Sequence, residues 1–215
     1  MVSKSFLIKP LAAAALLAVA GASHAALTVY NTQASFLAAV SAPGVDTFND
    51  MPLTSVPSPI GRTAGAYTYS GAVSTTSFFT AGTTADVWLS TNTATDSIIF
   101  SSFTSTVRGI GGLFFGSDIN GAYLLGDLTL VAVDSAGATS TQTITGATTA
   151  SFLGFVSSVP LTSLTVTGVQ PVTGFLWPTV NNLTLGAAVV PEPQTYALML
   201  AGLGFMGFVA RRRRG

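Results

Sequence analysis

The sequence contains no cysteine and a single histidine, His24, in 215 residues. The missing cysteine excludes disulfide staples and thiol chemistry. His24 lies in a segment expected to be removed, so the remaining chain has neither residue type. That excludes Ser-His-Asp triads, Cys-His dyads and ordinary zinc sites together. Charge is nearly as scarce. Between Ala26 and Val190 there is no lysine and no glutamate, and Arg62 and Arg108 are the only cations. Against them stand Asp46, Asp50, Asp86, Asp96, Asp118, Asp127 and Asp134, so two minus seven leaves this body at about −5. Such a surface has no basic patch to neutralise phosphates, which argues against a nucleic-acid partner. Low charge with abundant Ser, Thr, Gly and Ala suits a solvated β surface outside the cell.

What is present is concentrated at the ends. Lys4 and Lys9 precede an apolar run at 11–20, and Ser23-His24-Ala25 supplies a small-x-small cleavage site. This is the tripartite pattern of a secretory signal peptide over 1–25, with cleavage between Ala25 and Ala26 by signal peptidase after passage through the secretory translocase. The apolar run is about half the length a bilayer span needs. At the other end, Pro191-Glu192-Pro193 precedes an uncharged run at 195–210 and then Arg211, Arg212, Arg213 and Arg214. Sixteen residues at 1.5 Å rise cover about 24 Å, a short transmembrane helix whose arginines can snorkel to the interface. Positive residues stay on the cytoplasmic side, so the body lies across the membrane, in agreement with the signal peptide.

The ordered set of Pro-Glu-Pro, short hydrophobic helix and arginine cluster resembles the PEP-CTERM sorting signal, over roughly 190–215. The resemblance implies recognition by an exosortase, a membrane-embedded, transpeptidase-like protease of bacteria with an outer membrane and exopolysaccharide. Cleavage near Pro191, Glu192 and Pro193 is then expected to release or transfer the body to the outer surface or extracellular matrix. Two prolines make a stiff extended segment suited to presentation to a protease.

The body, 26–190, is dominated by period-two patterning. Leu164 and Val166 alternate with threonines, and Leu183 and Leu185 alternate with Asn182 and Thr184. Strands are expected at 28–30, 45–48, 66–69, 87–89, 97–100, 109–115, 128–133, 141–145, 151–156 and 179–185, with a turn at 134–137. One helix is expected, capped by Thr32, with Phe36, Leu37 and Val40 on one face and Pro43-Gly44 at its end. About ten short strands predict a mainly β fold, an antiparallel β-sandwich flanked by the signal peptide and the C-terminal hydrophobic helix. Ile98, Ile99, Phe100, Phe114, Phe115, Phe152 and Phe155 are the candidate core. The stretch 107–186 also resembles jelly-roll-like passenger domains that often precede this tail. That resemblance rests on 111–115, the hairpin at 134–137, 152–155, 160–166 and 181–185, and the related sequences often carry aspartates where this one has Asn181 and Asn182.

Any catalysis would have to rest on aspartates, and no spacing singles out a pair. Asp46 and Asp50 flank a strand end, where turn chemistry is the ordinary role. The expectation is therefore a protein that is not an enzyme and has no cofactor, with a small Asp-dependent hydrolase as the third reading. Calcium is the candidate ion. Asp118-Ile119-Asn120-Gly121 places two oxygen ligands two residues apart before a glycine, although an EF-hand spacing is not continued at Ala122 or Thr129. An Asx turn is the alternative reading of the same four residues. Trp88 and Trp177 are candidate glycan-binding platforms, with core packing as their alternative role. The leading expectation is a non-catalytic, exosortase-processed protein associated with extracellular polysaccharide or biofilm; a calcium-dependent carbohydrate-binding module is the runner-up.

Overall fold

The computed structural model describes residues 27–189, together with 199, 200, 202–204 and 206. The signal segment with its Ala25–Ala26 junction lies outside the described residues, as do Pro191 to Pro193 and the four arginines.

The chain enters through β1 (Leu27–Tyr30) and a seven-residue helix, α1 (Gln33–Ala39). Thr32 caps α1, its hydroxyl accepting from the Ser35 N–H at 3.2 Å. Then follow β2 (Val40–Asp46), β3 (Ser55–Val56), β4 (Ile60–Ala64), β5 (Tyr67–Val73), β6 (Phe78–Thr83), β7 (Asp86–Thr91) and β8 (Ser97–Ser101). The second half supplies β9 (Val107–Ser117), β10 (Tyr123–Leu124), β11 (Gly126–Asp134), β12 (Thr139–Ala147), β13 (Phe152–Ser157), β14 (Leu161–Gly168) and β15 (Trp177–Ala188).

All pairings are antiparallel and build two sheets. The nine-stranded sheet runs β1-β13-β9-β15-β7-β6-β3, with β10 added to β9 and β2 to β15. The six-stranded sheet runs β12-β11-β14-β8-β5-β4. Both sheets contribute to one apolar cluster: Ile110, Phe114, Phe155 and Leu185 from the first meet Ile98, Phe100, Leu130 and Val166 from the second. Alternating inward residues fill a layer between two faces, the packing of a sandwich.

Five of the seven candidate core residues are fully buried. Ile99 and Phe152 are not; both are half-buried. Ile99 lies between Ile98 and Phe100 on β8, and a period of two puts it on the outer face. Phe152 leans on Phe36 outside the main core, with ring centroids 5.6 Å apart.

The helix also corrects the expectation. It stops at Ala39, because Val40 is extended and pairs with Ala188 on β15. Pro43-Gly44 falls inside β2, and Leu37 is exposed while Phe36 and Val40 are buried. What holds Phe36 and Val40 is a seat of glycines on three neighbouring strands. A Cβ on Gly109 would stand 2.4 Å from Val40, on Gly154 2.5 Å from Phe36, and on Gly186 2.7 Å from Val40. The missing side chains let Phe36 of α1 and Val40 at the start of β2 pack directly against β9, β13 and β15. The strand expected at 45–48 both starts and ends earlier: β2 covers Val40–Asp46, and Phe48 has a positive φ of 60°.

Candidate functional site

Two depressions gather several of the side chains singled out above. The first, about 570 Å³, is lined by Asp46, Asp50, Arg62 and Tyr69 near the end of β2. Arg62 reaches from β4 and grips both carboxylates with its planar fork. Its Nε donates to Asp46 Oδ2 at 2.9 Å and its Nη2 to Asp46 Oδ1 at 2.6 Å. Nη1 and Nη2 donate to Asp50 Oδ2 and Oδ1 at 2.8 and 2.7 Å. The Tyr69 hydroxyl donates to Asp46 at 2.7 Å, and the Phe48 N–H donates to the same carboxylate at 3.0 Å. The guanidinium also lies 5.6 Å from the centre of the Phe48 ring.

These contacts set the electrostatics. The hydrogen bond from Arg62 holds the Asp50 carboxyl below its ordinary value, against the opposing pull of partial burial. Burial by itself would lower Arg62, but its hydrogen bonds to Asp50 and Asp46 outweigh it and the guanidinium is raised. Tyr69 is pushed up, first by burial and then by the Asp46 charge beside it. Asp46, Asp50 and Arg62 thus form a charge clamp that joins the end of β2 in one sheet to β4 of the other, with Tyr69 of β5 bonded to it. This cluster was not foreseen. Its one sequence signal was that Arg62 is one of two cations facing seven aspartates.

The second depression, about 200 Å³, lies at the start of β15 and is lined by Ser90, Asn92, Asp118, Ile119 and Trp177, among others. It adjoins a hollow of about 280 Å³ that shares Asn92, Ile119 and Trp177 and adds Phe175. Trp177 therefore stands on the ridge between the two. Phe175 packs edge-on to it at 6.2 Å, and Phe175 and Ile119 remain 62% and 74% exposed. Beneath them the hydroxyls of Ser90, Ser117 and Thr179 bond to one another, with Thr179 Oγ1 2.8 Å from Ser117 Oγ. An aromatic ring beside amide and hydroxyl groups can take a sugar by apolar contact and hydrogen bonding.

The candidate residues separate accordingly. Trp177 and Asp118 share this cleft. Trp88 is fixed elsewhere: it packs edge-on to Phe115 at 4.9 Å, and its indole N–H donates to Asp86 at 3.1 Å. Asp118 Oδ1 accepts from the N–H groups of Asn120 and Ala122 at 2.8 and 2.9 Å, and Gly121 takes φ of 76°. This is Asx-turn geometry. Asn120 meets that carboxylate through its backbone N–H. Among the described residues no three acidic or histidine side chains converge on a possible metal position. Asn181 donates to Asp86 at 2.8 Å, and Asn182 occupies a positive φ of 51° at a bulge against β9.

The remaining site is the tail. Residues 189–214 match the family model described as the PEP-CTERM protein-sorting motif. The chain carries a PEP-CTERM sorting motif. It is an exported protein addressed to an exosortase and held transiently in the membrane through its C-terminus. Comparison with curated proteins and with solved structures gives no match. The motif begins at Val189, one residue after β15 ends. Within it Met199, Leu200, Gly202, Leu203, Gly204 and Met206 are helical and exposed. Among the described residues no helix is long and apolar enough to cross a membrane, and most of the run at 195–210 lies outside them.

Proposed function

We propose that this is a non-catalytic, exosortase-processed protein whose β-sandwich works at the outer surface or in the extracellular matrix, in contact with exopolysaccharide or biofilm material. The observation that carries the reading is the PEP-CTERM motif following directly on the last strand of the larger sheet. Cleavage there would free the body without cutting into its core.

The non-catalytic part is supported by the aspartates. Each of the seven is engaged in a bond that serves the fold. Arg62 takes Asp46 and Asp50, Trp88 and Asn181 take Asp86, and three hydroxyls take Asp96. Backbone N–H groups take Asp118, Asp127 and Asp134. Mass spectrometry of the C-terminus, in cells with and without their exosortase, tests the processing. An exported form ending near Pro191–Pro193 only when the exosortase is present supports it; a chain intact in both strains refutes it.

The second reading, a carbohydrate-binding module with calcium dependence, is favoured by Trp177 and Asp118 lining one cleft. The cleft offers no cation, so neutral glycans are its expected class. Trp177→Ala is expected to weaken glycan retention in affinity electrophoresis at least tenfold, and EDTA to weaken it further if calcium takes part. Equal mobility of wild type and variant across neutral and acidic glycans would remove this reading.

A further inference from the structure

We infer that β12 is a self-association edge: two copies of this chain join antiparallel through it, extending the six-stranded sheet across both. The inference starts from how the sheet edges differ. β4 carries Arg62 and follows Pro59, β3 is two residues long with Pro57 next to it, and β1 has four residues. Short strands, prolines and charges are the usual devices that keep an edge from pairing. β12, at the end of the six-stranded sheet, has none of them. It is nine residues long, Thr-Ser-Thr-Gln-Thr-Ile-Thr-Gly-Ala, without charge or proline.

The hairpin geometry says which groups face outward. The Asp134 N–H donates to the Ala138 carbonyl at 3.1 Å, and pairs alternate from there between bonded and non-bonded. Ser140, Gln142 and Ile144 therefore direct their N–H and C=O groups to β11, while Thr139, Thr141 and Thr143 direct theirs to the open side. The Val133 carbonyl, opposite Thr139, agrees: it turns toward β14 and accepts from the Thr162 hydroxyl at 3.0 Å. The same three threonines are exposed, on the outer face of the sheet. Among the described residues β12 pairs only with β11, so its other side presents a ladder of unpaired backbone groups at every second residue.

A second copy fits that ladder because it is self-complementary. A two-fold axis at Thr141 sets Thr141 opposite its own counterpart and Thr139 opposite Thr143 of the other copy. Threonine pairs are favourable cross-strand neighbours, and no charge on β12 is repelled by its image. The surrounding body is acidic, but none of its aspartates lies on this strand.

The test uses the absence of cysteine. In Thr141→Cys the introduced thiols sit across the axis at about 5.5 Å between Cα atoms, within disulfide reach. In Ala136→Cys, at the exposed hairpin tip five residues from the axis, they would stand about 33 Å apart. Non-reducing electrophoresis of both variants in their native cells is expected to give a cross-linked dimer for the first and not the second. The mature protein should sediment as a dimer, and Thr141→Pro, which removes an outward N–H, as a monomer that keeps the β-sheet circular dichroism of the wild type. Equal cross-linking of both variants, or a wild type that sediments as a monomer up to ~100 μM, overturns the inference.

Discussion

Arg62 makes four charge-assisted hydrogen bonds to two carboxylates. Its side chain is 14% exposed and that of Asp46 3%, so removing the guanidinium strands a buried carboxylate. Breaking such a pair from one side costs about 3–5 kcal/mol, well above the median for a surface ion pair. Arg62→Met should therefore lower stability to urea by about that amount, whereas Arg108→Met, whose guanidinium meets only backbone carbonyls, should change it little. Equal midpoints for the two variants would contradict the clamp. Asp96 makes a second prediction. Burial would raise its carboxyl, but the hydroxyls of Thr75, Thr76 and Ser74 outweigh that and hold it below its ordinary 3.8. A carboxyl lowered in the folded state contributes stability above the unfolded value and loses it as pH falls through the folded one. Asp96 and Asp50 both have this sign, so the melting temperature should fall below about pH 3.8. Asp96→Asn should flatten that acid limb, which a melting series from about pH 6 to pH 2 would read.

At the scale of elements, the glycine seat under α1 and β2 is the feature with a sharp requirement. Gly154→Ala puts a methyl group 2.5 Å from the Phe36 ring, so the helix must lift or the strand must bend. Overpacking of this kind costs about 1–3 kcal/mol. Gly61→Ala, where an added Cβ meets nothing within 4 Å, is the control, and denaturant midpoints compare the two. The seat also explains what could be read from the sequence and what could not. Strands such as β8 and β14 were legible because each buries one side of an alternating pattern. β3, β4, β6 and β10 were not, because they are short or built of Gly, Ala, Thr and Ser, with little hydrophobic contrast. The helix end was misplaced because Pro43-Gly44 is a common stop signal, while the real stop is the burial of Val40 against glycines far along the chain. Trp177 and Asp118 were both recognisable as candidates. That they share a cleft follows from the pairing of Trp177 with Ser117, one residue before Asp118, which no local pattern announces. The Asp46–Arg62 pair, sixteen residues apart across two sheets, was invisible for the same reason.

For the whole molecule, the division between body and tail has a thermodynamic consequence. Among the described residues none beyond Ala187 belongs to the apolar core, and those of the tail are exposed. The exosortase-processed form and the full chain in detergent should therefore melt at the same temperature, within about 2 °C. Calorimetry of both forms checks this, and a large drop after processing would mean that the tail is part of the folding unit.

The position of β15 bears on how such a protein would respond to a pull. This twelve-residue strand pairs with β9 on one side and with β7 and β2 on the other, and the tail leaves from its end. While the tail is anchored, tension from flow or a moving surface enters along the strand axis, at right angles to its rungs. The rungs are then loaded in shear and must fail together, not peel one at a time like a zipper. A tether at the end of an edge strand would unravel under far smaller forces.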